Sequence, residues 1–199
     1  MQEFLIATKN PGKYREIVEV LGELPFEFKF LGDIDIDIDD SDFCEDGETF
    51  AENAYKKAEY YHGKTGLLTL GEDSGILVDA LKGELGVKTR RWGAGEKAGD
   101  DEWIEYFLKR MEGENQRSAS FFCHACLFGR GVRADFSGET RGEISKSLMA
   151  PIVKGIPISS CFIPEGATKV YASLTIEEKN RISHRGKAMN SLRDFLANQ

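Results

Sequence analysis

Leu67-Leu68-Thr69-Leu70-Gly71-Glu72-Asp73-Ser74-Gly75-Ile76-Leu77-Val78 sets two adjacent acids between glycines, with an apolar run on either side. The flanking runs read as buried strand, which places the acids at a strand end, on a turn. Glycines let a backbone turn sharply and approach a ligand closely, and ionised carboxylates there can hold a hard cation through oxygen. An acidic surface turn has the same spelling, so the neighbouring chain has to decide between them.

Upstream, Glu3 to Ala7 is a short apolar strand. The polar segment Thr8-Lys9-Asn10-Pro11-Gly12-Lys13 follows it, and then come Tyr14, Ile17, Val18 and Leu21 at helical spacing. Asn10 suits an N-cap and Pro11 the first helical position, so Thr8, Asn10 and Lys13 sit at a helix N-terminus whose free N–H groups attract anions. The spacing is not that of a Walker loop. Phe26 to Phe30, and then Ile34, Ile36 and Ile38 alternating with Asp35, Asp37 and Asp39, suggest strands with one wet face. Thr49 with Glu52 spells a capping box for a helix that stops at Gly63, and Asn53 and Lys56 share a face of it that looks into a cleft.

Downstream, Ile104, Phe107, Leu108 and Met111 give an amphipathic helix that starts at Asp100 or Asp101 and ends near Gly113. Ala119, Phe121, Cys123, Ala125 and Leu127 form one face of a long strand, which Gly129-Arg130-Gly131 turns into a second from Val132. Thr175 with Glu178 is another capping box, and Ser183 caps a last helix with Ala188, Leu192, Phe195 and Leu196 as its apolar face. His184 and Arg185 fall in the first turn of that helix, where the dipole disfavours cations; a bound phosphate would remove the conflict.

The 199 residues read as one domain spanning 1–199, with 41% hydrophobic and 30% charged residues as in a water-soluble globular protein. No apolar run approaches the roughly 18 to 20 residues of a membrane span, and no basic leader precedes the first strand, so a cytoplasmic protein without a membrane partner is expected. A net charge of −8 argues against nucleic-acid polymers as partners. The charge is uneven: Asp33 to Glu52 holds ten acids and no Lys or Arg, whereas Glu177 to Arg193 holds five Lys or Arg against two acids. An acidic wall opposite a basic one suits a metal-bound polyphosphate. Cys123-His124-Ala125-Cys126 resembles half a zinc site, but it lies on a strand, where residues three apart face opposite ways, so the cysteines read as reduced structural thiols.

Taken in order, these segments resemble the house-cleaning nucleoside triphosphate pyrophosphatases of the inosine triphosphate pyrophosphatase family. The likeness is collinear through Ala7 to Lys13, Glu48 to Ala54 with Lys56 and Ala58, Glu72 to Gly75 with Val78 to Leu81, Arg117 with Phe122 and Cys123, and Glu178-Lys179 followed by Ile182-Ser183-His184-Arg185. It implies a mixed α/β fold of two lobes around a central cleft, with a long mixed sheet flanked by helices, usually as a homodimer. It further implies Mg2+-dependent hydrolysis of a non-standard purine nucleotide such as ITP, dITP or XTP to the monophosphate and pyrophosphate.

On that resemblance Asp73 is metal ligand and general base. Ser74 contacts substrate, Thr8, Asn10 and Lys13 hold the triphosphate together with Lys56, and Lys179, His184 and Arg185 lie on the nucleotide from the other lobe. A second metal ligand is expected among Glu45, Glu48 and Glu72. Where the family has Gly-Phe-Gly-Tyr-Asp-Pro, this chain has Gly155-Ile156-Pro157-Ile158-Ser159-Ser160, without the stacking ring or the carboxylate. A non-catalytic nucleotide sensor, or an enzyme with shifted base or phosphometabolite specificity, is the alternative.

Overall fold

Gly71 to Gly75 is not a turn: Leu68–Val78 is one continuous strand. The two glycines serve packing instead. A Cβ at Gly71 would lie 2.1 Å from the carbonyl oxygen of Ala54, and one at Gly75 would lie 2.4 Å from that of Gly86. Neighbouring backbone therefore comes closer to this strand than any larger residue permits.

The computed structural model describes residues 1–34, 43, 45–95 and 97–198. The alternation at Asp35 to Asp39 and Cys44 lie outside the described residues. Six strands form one sheet: β1 (Gln2–Ala7), β2 (Phe26–Phe30), β3 (Leu68–Val78), β4 (Ser118–Gly129), β5 (Val132–Ile144) and β6 (Phe162–Pro164), in the order β2-β1-β3-β4-β5-β6. β1 runs parallel to β2 and β3, while β3 to β6 pair antiparallel. The helix α1 (Pro11–Leu21) makes the crossover from β1 to β2, and α2 (Phe50–Thr65) leads into β3. Parallel neighbours require such crossovers, whereas Gly129-Arg130-Gly131 suffices between β4 and β5.

β3, β4 and β5 are long enough to carry a hydrophobic core at each end. At one end Phe4, Ile6, Leu70, Cys123 and Leu127 pack against Ile17 and Leu21 of α1 and Met189 and Leu192 of α5 (His184–Ala197). At the other, Ile76, Val78, Phe121 and Phe162 pack against Trp103 and Phe107 of α3 (Asp100–Arg110), with Tyr171 alongside. Each such side chain withdrawn from water contributes about 1.5–3 kcal/mol. Two cores on one set of strands make two lobes, and a cleft of about 770 Å3 separates them. Across the back of the first lobe lies α2, with Ala54 and Ala58 against Cys126.

The caps follow the sequence at Asn10, Thr175 and Ser183, and Thr175 opens α4 (Ile176–Ile182) with a complete capping box. At Thr49 only half the box forms, because the Glu52 carboxylate accepts from the amide of Glu48 rather than that of Thr49. α2 also runs past Gly63 to Thr65 and stops at Gly66, whose φ of 69° closes the helix in the left-handed region. Cys123 and Cys126 do face opposite sides of β4: the first meets Glu72, the second Ala54 and Ala58. No described helix is long and apolar enough to cross a membrane.

Candidate active site

The loop after β1 is braced by its own hydrogen bonds. The Asn10 carboxamide oxygen accepts from the amides of Gly12 (2.9 Å) and Lys13 (3.2 Å), while the backbone N–H of Asn10 donates to Thr8 Oγ1 (3.1 Å). Lys13 then reaches across to β3, where its Nζ lies 2.8 Å from Glu72 Oε2.

Strand alternation separates the two acids that the sequence sets side by side. Glu72 points to the α1 and α5 side and is buried. Its Oε1 accepts from Nη2 (3.0 Å) and Nε (3.2 Å) of Arg185, which also donates to Ser74 Oγ (2.9 Å). Arg185 pairs in addition with Glu16 of α1, and Glu16 holds Lys179. Lys13, Glu72, Arg185, Glu16 and Lys179 therefore form a chain of alternating sign, buried except at the partly exposed Lys13, tying α1, β3, α4 and α5 together. Burial would raise the carboxyl of Glu72, but Arg185 and Lys13 outweigh it and hold the group well below the carboxylate range. Glu16 is likewise lowered, since Arg185 and Lys179 overcome its burial. Glu16 was not visible as a site residue in the sequence, because a single acid on a helix has no motif around it.

Asp73 points the other way, toward α2. Asn53 Nδ2 donates to Asp73 Oδ2 at 2.9 Å, and Asn53 Oδ1 accepts from the amide of Gly47 at 2.8 Å, so one buried amide sets both the acid and the incoming loop. Burial raises the Asp73 carboxyl, against the pull of Lys13, Lys57 and the Asn53 hydrogen bond. Glu45 reaches the same cleft, paired with Lys57 and tethered where Arg91 Nη1 donates to its carbonyl oxygen at 2.9 Å. Its carboxyl is lowered, as Lys57 outweighs the effect of burial.

Thr8, Asn10, Lys13, Glu45, Asp73, Ser74, Lys179, His184 and Arg185 thus line one cleft, and Lys56, Glu48 and Glu72 do not. Lys56 lies on the outer side of α2 and pairs with Asp46, and Glu48 is exposed. The inward cation is Lys57, which is buried and donates to the carbonyl oxygen of Glu72 at 3.0 Å. The buried face of α2 is Asn53, Ala54, Lys57, Ala58 and Tyr61, so an i, i+4 reading from Asn53 would have found it. Lys57→Ala should lower kcat/KM about a hundredfold, and Lys56→Ala by less than about twofold. Steady-state kinetics on the two variants separates these positions.

At the far end of the cleft the His184 ring packs against two aromatic neighbours that also touch each other. It stacks on Phe121 at 4.7 Å and 11° and on Tyr171 at 6.2 Å and 26°. Its Nδ1 is buried without a hydrogen-bond partner among the described residues. Burial, with Arg185 adding to it, pushes the imidazole well below its usual range and keeps it neutral. The unfolded chain takes up a proton below about pH 6.5 that the folded chain refuses, so His184 costs stability as pH falls through that value. Relative to His184→Gln, the wild type should lose about 1.4 kcal/mol between pH 7.5 and 5.5, read from urea unfolding at the two pH values.

Lys9, Lys13, Lys57, Arg90, Arg91, Lys154, Lys179 and Arg185 line the cleft against three acids, Glu45, Asp73 and Asp100. In a chain of net charge −8 this concentrates positive potential in one concavity, which selects an anionic ligand. The model of the Ham1 family matches residues 4–195. The chain belongs to the Ham1 family. It is 39% identical to the dITP/XTP pyrophosphatase of Geobacter sulfurreducens, covering 98% of this chain and 97% of that protein, and 36% identical to that of Aquifex aeolicus over the same shares. A HAM1 protein from Coxiella burnetii superposes with a TM-score of 0.84 at 31% identity over 100% of both chains, and the Staphylococcus aureus Ham1 protein with 0.81 at 30% over 99% of both. In this Ham1 chain the segment 155–160 brings Ile156, Pro157, Ile158 and Ser159 to the cleft, while the aromatic rings lining it come from Phe43, Tyr61, Trp103, Phe121 and Tyr171.

Proposed function

We propose that this protein hydrolyses a non-standard purine nucleoside triphosphate, of the class of dITP and XTP, to the monophosphate and pyrophosphate. The observation that carries this reading is Asp73, a buried acid on a rigid strand, facing a cleft lined by eight cations. Lys13 and Lys57 flank the acid, and the names of the relatives point to the same reaction.

In this reading Asp73 accepts a hydrogen bond from the attacking water and takes its proton. Its raised carboxyl makes it a better base than a solvated aspartate, and Asn53 at Oδ2 and the Ser74 amide at Oδ1, each at 2.9 Å, fix the carboxylate plane while each oxygen keeps a lone pair for water. Lys13, Lys57 and the positive end of the α1 dipole stabilise charge on the phosphates as pyrophosphate departs. Lys179, Arg185 and the ring stack at His184 hold the nucleoside end.

Glu45 and Asp73 supply hard carboxylate oxygens, the donors that Mg2+ takes one or two at a time, leaving room for phosphate oxygens and water. What the cation supplies when bound is charge neutralisation at the phosphate oxygens. Glu72 is not offered as a ligand, because Lys13 and Arg185 occupy its oxygens. The reading extends to a homodimeric, cytoplasmic enzyme acting on free nucleotides.

Phosphorus NMR on dITP, XTP and deoxyuridine triphosphate with Mg2+ should show pyrophosphate and the monophosphate from the purines. Orthophosphate as the first product, or binding by calorimetry without turnover, would overturn the reading.

A further inference from the structure

Gly155 is gripped from both sides of the cleft. Its amide donates to Asp100 Oδ2 at 2.7 Å, on the first residue of α3 in the second lobe. Its carbonyl oxygen accepts from Asn10 Nδ2 at 2.8 Å, on the loop that caps α1 in the first lobe. The residue has φ 81°, and a Cβ there would lie 2.6 Å from Asn10 Oδ1. A second close approach reinforces the grip, since a Cβ on Gly12 would meet the carbonyl oxygen of Lys154 at 3.1 Å. Asn10 thus spends its oxygen on the α1 amides and its nitrogen on Gly155, so one side chain fixes two loops to each other.

We infer that Asp100 is a positioning residue that clasps the segment 154–160 onto the Asn10 loop, setting the distance between the nucleoside end of the cleft and its phosphate end. The inference rests on the proposed function for what fills the cleft. Asp100 reaches the amide of Gly155 from a helix start, where its charge is favoured, and a charged acceptor makes the stronger hydrogen bond. The consequence is selective. A ligand that spans both loops depends on the clasp, and one that occupies only the Asn10 and Lys13 end does not.

The test compares wild type, Asp100→Ala and Asp100→Asn, the last of which keeps an acceptor oxygen. Amide exchange in the 150–160 peptide should speed up at least about tenfold in Asp100→Ala while the β3 and β4 peptides stay protected. KM for dITP should rise roughly tenfold to a hundredfold, while the competitive inhibition constant of inorganic tripolyphosphate moves less than about twofold. Asp100→Asn should restore most of both.

Unchanged exchange in Asp100→Ala overturns the clasp, as does a rise in the tripolyphosphate constant in step with KM. A wild type that turns over no nucleoside triphosphate refutes the proposed function instead, and the exchange data then decide the clasp alone.

Discussion

Asp73→Asn should lower turnover between roughly a hundredfold and ten-thousandfold, the range that a positioned general base contributes. The same substitution should not weaken the fold. Asn retains an oxygen to accept from Asn53 Nδ2, and the removal of a charge that burial disfavours offsets the loss of the acceptor that Oδ1 offers the Ser74 amide. The sign follows from the raised carboxyl: the folded state binds its proton more tightly than the unfolded state, so at neutral pH the ionised acid costs stability. The melting temperature of Asp73→Asn should therefore equal or exceed that of wild type, a trade common where a site is built from strained charge. A dITP assay beside a thermal unfolding scan checks both halves. A variant that keeps a tenth of the activity, or that melts earlier than wild type, contradicts the role given to Asp73.

The largest loss of stability is expected at Arg185. Arg185→Ala leaves Lys13 as the one ion-pair partner of Glu72 and Lys179 as that of Glu16 among the described residues, with both carboxylates buried. Breaking a buried pair by removing one partner costs about 3–5 kcal/mol. In wild type the lowered carboxyl of Glu72 contributes stability that is present above its unfolded value near 4.5 and is lost as pH falls through the folded value. In the variant the main partner that lowered it is gone, burial dominates, and Glu72 protonates in mild acid. The difference in unfolding free energy should consequently narrow between pH 7 and pH 5, as measured by urea titration. A difference that stays constant over that range would mean that packing of the guanidinium, not its charge, is what matters.

Local signals carried much of this into view. Asn10 before Pro11, Thr175 before Glu178 and the period-2 face from Ala119 to Leu127 are all decided by neighbours in sequence, and they formed as read. The sequence also put the right segments into one cleft, because its order matches that of a family whose fold this chain shares.

What it obscured was tertiary. Gly71 and Gly75 suggested a turn by their chemistry, but they answer to α2 and residue 86 packing against the strand. Once the strand is continuous, its parity separates Glu72 from Asp73. Without it, either acid or both fit a metal. Lys56 and Lys57 differ only in helical phase, and the phase follows from Ala54 and Ala58 facing the sheet. Glu16 acquires its role from residues 163 and 169 positions away, which no local pattern encodes.

The ladder between β3 and β4 pairs every residue from Thr69 with Phe128 to Val78 with Ala119, and Asp73 sits at its middle opposite His124. On our proposal Asp73 is the general base, and an acid on such a ladder has no local route to disorder, since freeing its backbone means opening strands that carry both cores. The reactive centre and the cooperative unit of unfolding are therefore one object. Damage to peripheral loops will tune which ligand is held, whereas the capacity for chemistry vanishes only at the denaturant concentration at which the whole chain melts.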